Sequence, residues 1–189
     1  MARGRRATAV GPPVDRGLEL TEVDRDTPRR VPTRPTPPGK RIFDVVLSAA
    51  GLLLSAPLWL VIAAAVKLED GGPVFYSQQR VGKGGELFRS WKFRSMVPDE
   101  DRGDDEGPER QASPGDPRVT RVGRVLRATA LDELPQLWSI LVGDMSFVGP
   151  RALLPEEEHR QQGEPVRLDQ VEGYARRHTV RPGLTGLEK

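Results

Sequence analysis

The chain has no cysteine and only two histidines, His159 and His178, in 189 residues. Disulfides and thiolate metal sites are therefore excluded, and a histidine-built zinc site lacks ligands. Any metal would be held by oxygen, which points to magnesium or manganese among carboxylates and phosphates. Charge of one sign is also lacking: 29 Lys and Arg face 27 acids, a net of +2, so local charge distribution carries more meaning than the total. The early arginines are followed by no apolar core and no small-residue cleavage pattern, which excludes a signal peptide. Apolar residues make up 37%, enough for one core of modest size plus irregular segments.

Residues 1–39 are rich in Arg, Pro, Thr and Gly without apolar periodicity, and read as a disordered basic tail. Such a tail either meets anionic lipid or is an inert extension. Long apolar runs are absent except from Phe43 to Val66, broken by Asp44 and by Ser55-Ala56-Pro57. About 20 apolar residues suffice to cross a bilayer. Pro57, however, removes a backbone donor at mid-depth, and the Ser55 hydroxyl is placed to serve a carbonyl freed by a bend. Basic residues flank both ends: Arg29, Arg30, Arg34, Lys40 and Arg41 before, and Lys67, Arg80, Lys83, Arg89, Lys92 and Arg94 after. The positive-inside rule then holds both ends in the cytoplasm, so a re-entrant helix over 40–68, kinked at Pro57, is preferred to a straight span or a buried soluble hairpin.

Residues 73–96 read as strand, Gly-rich turn and strand. Gly82 to Gly85 suits a plain hairpin turn better than an anion nest. Alternation through Phe88, Ser90, Lys92 and Arg94 predicts one polar face, on which Lys92 and Arg94 are candidates for phosphate contact. Residues 98–117 read as a mobile loop with solvated acids. Val119, Val122, Val125, Leu126 and Thr129 then recur at helical spacing, with Arg118, Arg121, Arg124 and Arg127 on the other positions. That basic amphipathic helix suits either a membrane interface or an ordinary surface.

The rest of the chain is arranged around residues 131–151. Pro135 is tolerated in a first helical turn, so a helix is expected to begin near Asp132, burying Leu134, Leu137, Trp138 and Leu141 and ending at Gly143. Asp132 and Glu133 would lie at its N-terminus, where the helix dipole favours ionised carboxylate. Asp132 is then either a reactive group or simply a cap. Near the end of the chain His178 and Arg181 stand out, though a surface histidine is usually idle. An ionised acid pair, several cations, no soft metal ligands and a membrane-length apolar segment together suit phosphate chemistry at a bilayer.

Several long motifs occur in one order: Lys40-Arg-Ile-Phe-Asp; Gly72-Pro-Val-Phe-Tyr-Ser-Gln-Gln-Arg-Val-Gly; Trp91-Lys-Phe-Arg-Ser-Met; Asp116-Pro-Arg-Val-Thr-Arg-Val-Gly-Arg-Val-Leu-Arg; Leu131-Asp-Glu-Leu-Pro-Gln-Leu-Trp; Gly143-Asp-Met-Ser-Phe-Val-Gly-Pro-Arg; and Arg181-Pro-Gly-Leu-Thr-Gly. Over about residues 40–187 the chain resembles the bacterial sugar transferases, and more narrowly the monotopic phosphoglycosyl transferases in their short form. The resemblance implies transfer of a sugar 1-phosphate from a UDP-sugar to polyprenyl phosphate, giving polyprenyl-diphosphate-sugar and UMP. It implies Mg2+ as cofactor, and as partners the UDP-sugar, polyprenyl phosphate and membrane lipid, with no nucleic acid. By the same resemblance Asp132 is the nucleophile, Glu133 is catalytic and holds the metal, and Lys92, Arg127 and Arg151 handle phosphate; Arg94, from the strand face, and Arg181 join them as candidates for phosphate or substrate contact. A covalent intermediate would let the nucleotide leave before the lipid attacks. The location implied is the cytoplasmic face of the bacterial inner membrane.

The expected fold is α+β: a Pro-kinked re-entrant helix, broken at Ser55 and Pro57, followed over 69–189 by a small helix-rich domain with a short β-hairpin. Two departures from the family pattern stand out. Its Gly-Pro-Arg-Pro here reads Gly149-Pro-Arg-Ala152, and its members continue beyond the point where this sequence stops at Lys189. The transferase domain is therefore expected to be incomplete at its C-terminal end, with weak turnover. A truncated, non-catalytic membrane-associated protein and a membrane phosphohydrolase are the alternative readings.

Overall fold

The computed structural model describes residues 28–97, 116–155, 159–161, 164–166, 170 and 173–186. Helix α1 spans Pro38–Asp70, with proline at its first positions and Gly71 closing it in the left-handed conformation. Lys67 in its last turn reaches the Gly71 carbonyl at 2.6 Å. At 1.5 Å per residue the helix is about 50 Å long. It is long and apolar enough to cross a membrane.

The Ser55-Ala56-Pro57 step does not interrupt α1. Pro57 deprives the Leu53 carbonyl of its helical partner, but the Ser55 hydroxyl does not serve that carbonyl. It donates instead to the Gly51 carbonyl at 2.6 Å and accepts the Trp59 indole hydrogen at 3.0 Å. The expected role of Ser55 is corrected accordingly: it bonds back four residues, a contact that bends helices gently.

One face of α1 enters the protein core. Ile62 and Val66 pack with Phe93 and Leu126, supported by Trp59, Val74, Val122, Leu131 and Leu134. Phe75 stacks on Phe93 with ring centroids 5.2 Å apart, and Trp59 meets Phe93 edge-on at the same distance. The opposite face leaves Leu54, Leu60 and Leu68 more than 70% exposed. Apolar surface on that scale marks an interaction site.

Strands β1 (Phe75–Val81) and β2 (Leu87–Phe93) form the expected antiparallel hairpin, with Phe75 opposite Phe93 and Val81 opposite Leu87. The Lys83–Gly85 turn needs positive φ at Gly84 and Gly85. The amides of Gly82, Gly84, Gly85 and Glu86 donate to carbonyls of Glu86, His178, Gly82 and Lys83, so this is a plain turn. The helices that follow are short: α2 (Arg121–Ala128), α3 (Gln136–Val142) and α4 (Tyr174–Arg177). Strand β3 (Ser146–Gly149) pairs in parallel with β6 (Gly183–Gly186), and β4 (His159–Gln161) pairs with β5 (Glu164–Val166). The α+β class holds, but the expected helix-rich domain is corrected, among the described residues, to short helices with three two-stranded sheets. Gly143, Gly149 and Pro150 punctuate the chain too closely for long helices to follow.

Most of the expected disordered tail and of the loop at 98–117 lies outside the described residues. Residues 28–37 belong to that tail in the sequence reading, yet they run extended against the core. The Val31 amide bonds the Gly84 carbonyl at 3.1 Å and that of Arg34 bonds Thr179 at 2.8 Å. Val31 is buried with Val81, Leu153 and Tyr174. Pro32, Pro35 and Pro37 favour extended backbone, so one apolar anchor and a few hydrogen bonds are enough to order the strap.

Candidate active site

The acid pair sits on a 3₁₀ turn, Leu131–Glu133, entered through Ala130 in the left-handed conformation at φ 55°. Helix α3 begins only at Gln136, with Pro135 as its cap. The expected helix start near Asp132 is therefore corrected. The turn closes through Glu133 and Leu134 amides bonded three residues back, at 3.2 and 3.3 Å, and Ala130 redirects the chain before the α-helix can form. Gly143 ends α3 as expected, at φ 109°. Leu137 and Ile140 are buried, but Trp138 is 54% exposed, contrary to the expected inward face. Gln136 and Ser139 take interior positions in its place.

Asp132 is 8% exposed. Burial pushes its carboxyl above the usual carboxylate range and the Glu133 charge adds to that, while Lys92, its own backbone amide and Arg127 pull it down. The expectation of a carboxylate made readily ionised by a helix dipole is thus corrected, since no α-helix starts there and desolvation dominates.

Beside this turn lies a cleft of about 570 Å³, lined by Arg80, Ser90, Lys92, Glu133, Gln136, Met145, Arg151, Ala152, Gly183 and Leu184. The hairpin register explains part of it. Lys92, Ser90 and Phe88 stand opposite Tyr76, Gln78 and Arg80, and opposed residues share a sheet face. Lys92 Nζ lies 2.6 Å from Glu133 Oε1. Arg80 donates from Nη1 to the Ala152 carbonyl at 2.8 Å and from Nη2 to Gln78 Oε1 at 2.9 Å. Arg151 is brought in by its bridge to Gly183.

The other sequence candidates lie elsewhere. Arg94 follows the last residue of β2 and is buried against Asp70, with which it forms an ion pair at the end of α1. Arg127 is in the last turn of α2, with Nη1 3.1 Å from Met96 Sδ, outside the cleft lining though its charge reaches Asp132. Arg181 donates to Thr36 Oγ1 at 3.2 Å, and burial beside Arg41 lowers its pKa. His178 is buried, with Nδ1 2.8 Å from the Tyr174 carbonyl, and its pKa is lowered by burial. Sequence reasoning missed Arg80, Ser90 and Gln136 as cleft residues. Counting back from Lys92 across the hairpin would have found Arg80 and Ser90.

No three His, Asp or Glu side chains converge on a metal position among the described residues. The donors present are Glu133, which lines the cationic cleft, and its neighbour Asp132, buried in the same turn. That set fits magnesium, which commonly binds one or two carboxylates together with substrate phosphates.

Residues 36–189 match the bacterial sugar transferase family. The chain is similar to the UDP-glucose:undecaprenyl-phosphate glucose-1-phosphate transferase of Caulobacter vibrioides, at 48% identity over 149 residues, covering 78% of this chain and 52% of that protein. It is similar to the Escherichia coli protein of the same name at 47% over 150 residues, covering 78% and 30%. It is also similar to the exopolysaccharide production protein PSS of Rhizobium leguminosarum, at 42% over 148 residues, covering 78% and 71%. The chain thus spans about half the length of the first of these relatives and about a third of the second. A match of this extent, on the motifs that build the cleft and the acid turn, places the chain in the bacterial sugar transferase family.

Proposed function

We propose that this chain transfers a sugar 1-phosphate from a UDP-sugar to polyprenyl phosphate. The observation that carries the reading is the cationic cleft of Arg80, Lys92 and Arg151 opening beside the Asp132-Glu133 turn, in a chain whose relatives are named for that transfer. Diphosphate oxygens meet guanidinium and ammonium groups there, and these bind phosphate strongly in a part-enclosed site.

In the first step an Asp132 oxygen attacks the phosphorus that bears the sugar. A phosphorus–oxygen bond to Asp132 forms as the bond to UMP breaks, and UMP leaves with the electron pair. In the second step a polyprenyl phosphate oxygen attacks the same phosphorus, and the Asp132 carboxylate departs unchanged. Desolvation of Asp132 makes its ionised form a stronger nucleophile, and Lys92 and Arg127 favour that form. Magnesium, held by Glu133 together with diphosphate oxygens, would neutralise charge on the leaving phosphate. Gln136 and Ser90 add neutral polar groups to the same wall.

The lipid acceptor requires this site near headgroup depth. We assign α1 to the cytoplasmic leaflet, with both of its ends on the cytoplasmic side. The support is that the rest of the protein contacts α1 near both ends and at its middle: Lys40 bonds the Val148 carbonyl at 3.1 Å, Leu137 packs beside Gly51, and Glu69 bonds the start of α2. A helix standing across the bilayer would carry these contacts, and the charged cleft with them, into the hydrocarbon.

The test is to incubate the protein with a UDP-sugar and magnesium without lipid acceptor. Intact mass should rise by one phosphosugar, mapping to Asp132, and Asp132→Asn should abolish it. Adduct surviving in that variant removes Asp132 from the role. With polyprenyl phosphate added, the sugar phosphate should end on lipid; its transfer to water would make the protein a hydrolase.

A further inference from the structure

Lys92 and Glu133 face each other at 2.6 Å, with side chains 30% and 37% exposed. Glu133 is the one acid among the residues lining the cleft, whereas Arg80 and Arg151 stand with Lys92 on the cationic side. A free divalent cation approaching Glu133 competes with the Lys92 ammonium for Oε1 and must then remain in a cleft holding three positive side chains. Both requirements oppose its binding.

A cation arriving on a diphosphate meets different conditions. The phosphate oxygens offer Lys92 a replacement partner, so one ion contact is exchanged for two, and they cancel the repulsion from Arg80 and Arg151. We propose, resting on the transferase reading above, that Lys92 is a counter-ion gate on Glu133: it keeps bare divalent cation off the carboxylate and yields it to a cation accompanied by nucleoside diphosphate. The gate makes metal binding obligatorily coupled to nucleotide. It also assigns Lys92 two successive partners, Glu133 in the resting protein and a phosphate oxygen in the complex. The pair is held for this exchange by rigid elements, since Lys92 is on the β1–β2 hairpin and Glu133 on the closed 3₁₀ turn.

The experiment is a Mn2+ titration read by the electron paramagnetic resonance signal of the free ion. It uses the protein in nanodiscs, with and without UDP. Wild type should bind Mn2+ weakly alone and far more tightly with UDP. Lys92→Met should bind bare Mn2+ roughly tenfold more tightly than wild type, as expected for removing a close like charge and its competing ion pair, and its dependence on UDP should shrink. Lys92→Gln gives a second neutral reading should the methionine variant fold poorly, and Lys92→Arg should keep the wild-type pattern. Glu133→Gln should lose the UDP-dependent binding. If the neutral variants bind bare Mn2+ no better than wild type, while UDP still promotes Mn2+ binding to wild type, the gate is refuted and the transferase reading stands. If UDP promotes no Mn2+ binding to wild type at all, the nucleotide-metal site itself is refuted and the gate falls with it.

Discussion

The Glu69 carboxylate, in the last turn of α1, accepts the backbone amide of Arg121 at 2.6 Å, and its second oxygen accepts that of Val122 at 3.1 Å. Thr120 Oγ1 takes the Gly123 amide at 2.8 Å, so the first three amides of α2 are all satisfied. The apolar helix thereby anchors the short helix that leads into the Asp132-Glu133 turn.

Glu69→Ala should cost about 1 kcal/mol, typical of a lost helix cap and kept modest by the exposure of Glu69. Thermal unfolding checks the magnitude. Hydrogen exchange locates it: the Arg121 and Val122 amides should exchange faster, and unchanged protection there would show that Glu69 does not anchor α2.

Asp132 should leave a signature in the pH dependence of adduct formation. Because burial raises its pKa, the acid limb of the rate should fall at a pH above the usual carboxylate range, and Lys92→Met should move it higher by removing a charge that favours ionisation. The stability effect follows by linkage. A neutral Asp132 suits its buried position, so that contribution is fully present below the unfolded-state pKa and is lost as pH rises through the folded one. Asp132→Asn keeps it at every pH, and should therefore stabilise the protein near neutrality with a gain that vanishes in acid. A gain that instead grows in acid would contradict the assignment.

Arg80 should matter for positioning as well as charge. Where the family pattern has proline after its arginine this chain has Ala152, and Arg80 holds the Ala152 carbonyl next to Arg151. Arg80→Met should lower kcat/KM by roughly ten- to a hundredfold, the range expected when a phosphate contact slips by about 1 Å. Arg80→Lys should recover only part, since a lysine lacks the fork that reaches both Ala152 and Gln78. Steady-state kinetics of both variants with a UDP-sugar decide this, and full activity in Arg80→Met would remove the residue from the site.

The placement of α1 can be read by labelling, because the chain has no cysteine to obscure it. Single cysteines at Thr33 and Arg102, exposed to an impermeant thiol reagent from outside the cytoplasmic membrane, should both stay unlabelled until the membrane is opened. Labelling at Thr33 alone would establish a straight span.

Local sequence made much of this protein legible. The apolar run marked α1, the alternating residues around Gly82–Gly85 marked the hairpin, and Gly143 marked the end of α3, because each signal depends on the backbone preferences of a few adjacent residues. Lys92, Glu133 and Arg151, singled out on sequence, do meet in one cleft.

Other features depend on what covers each face, which periodicity cannot report. Arg94 continues the β2 alternation but lies one residue past the strand, where Asp70 of α1 captures it. Trp138 has helical spacing for the core yet stays exposed, while polar Gln136 and Ser139 go inside. The tail looked too poor in apolar residues to order, but Val31 finds a ready-made pocket between Val81 and Leu153, far along the chain. The parallel pairing of β3 with β6 joins Ser146 to Gly183, and it is this long-range contact that seats Gly183 and Leu184 in the cleft wall. The sequence alone determined which chemistry was available, since oxygen donors and cations were the only site-building groups in quantity. Tertiary structure alone decided the state of that chemistry: burying Asp132 and setting Lys92 against Glu133 changes the energy of charged groups, and that energy depends on surrounding solvent and neighbours brought together only by folding.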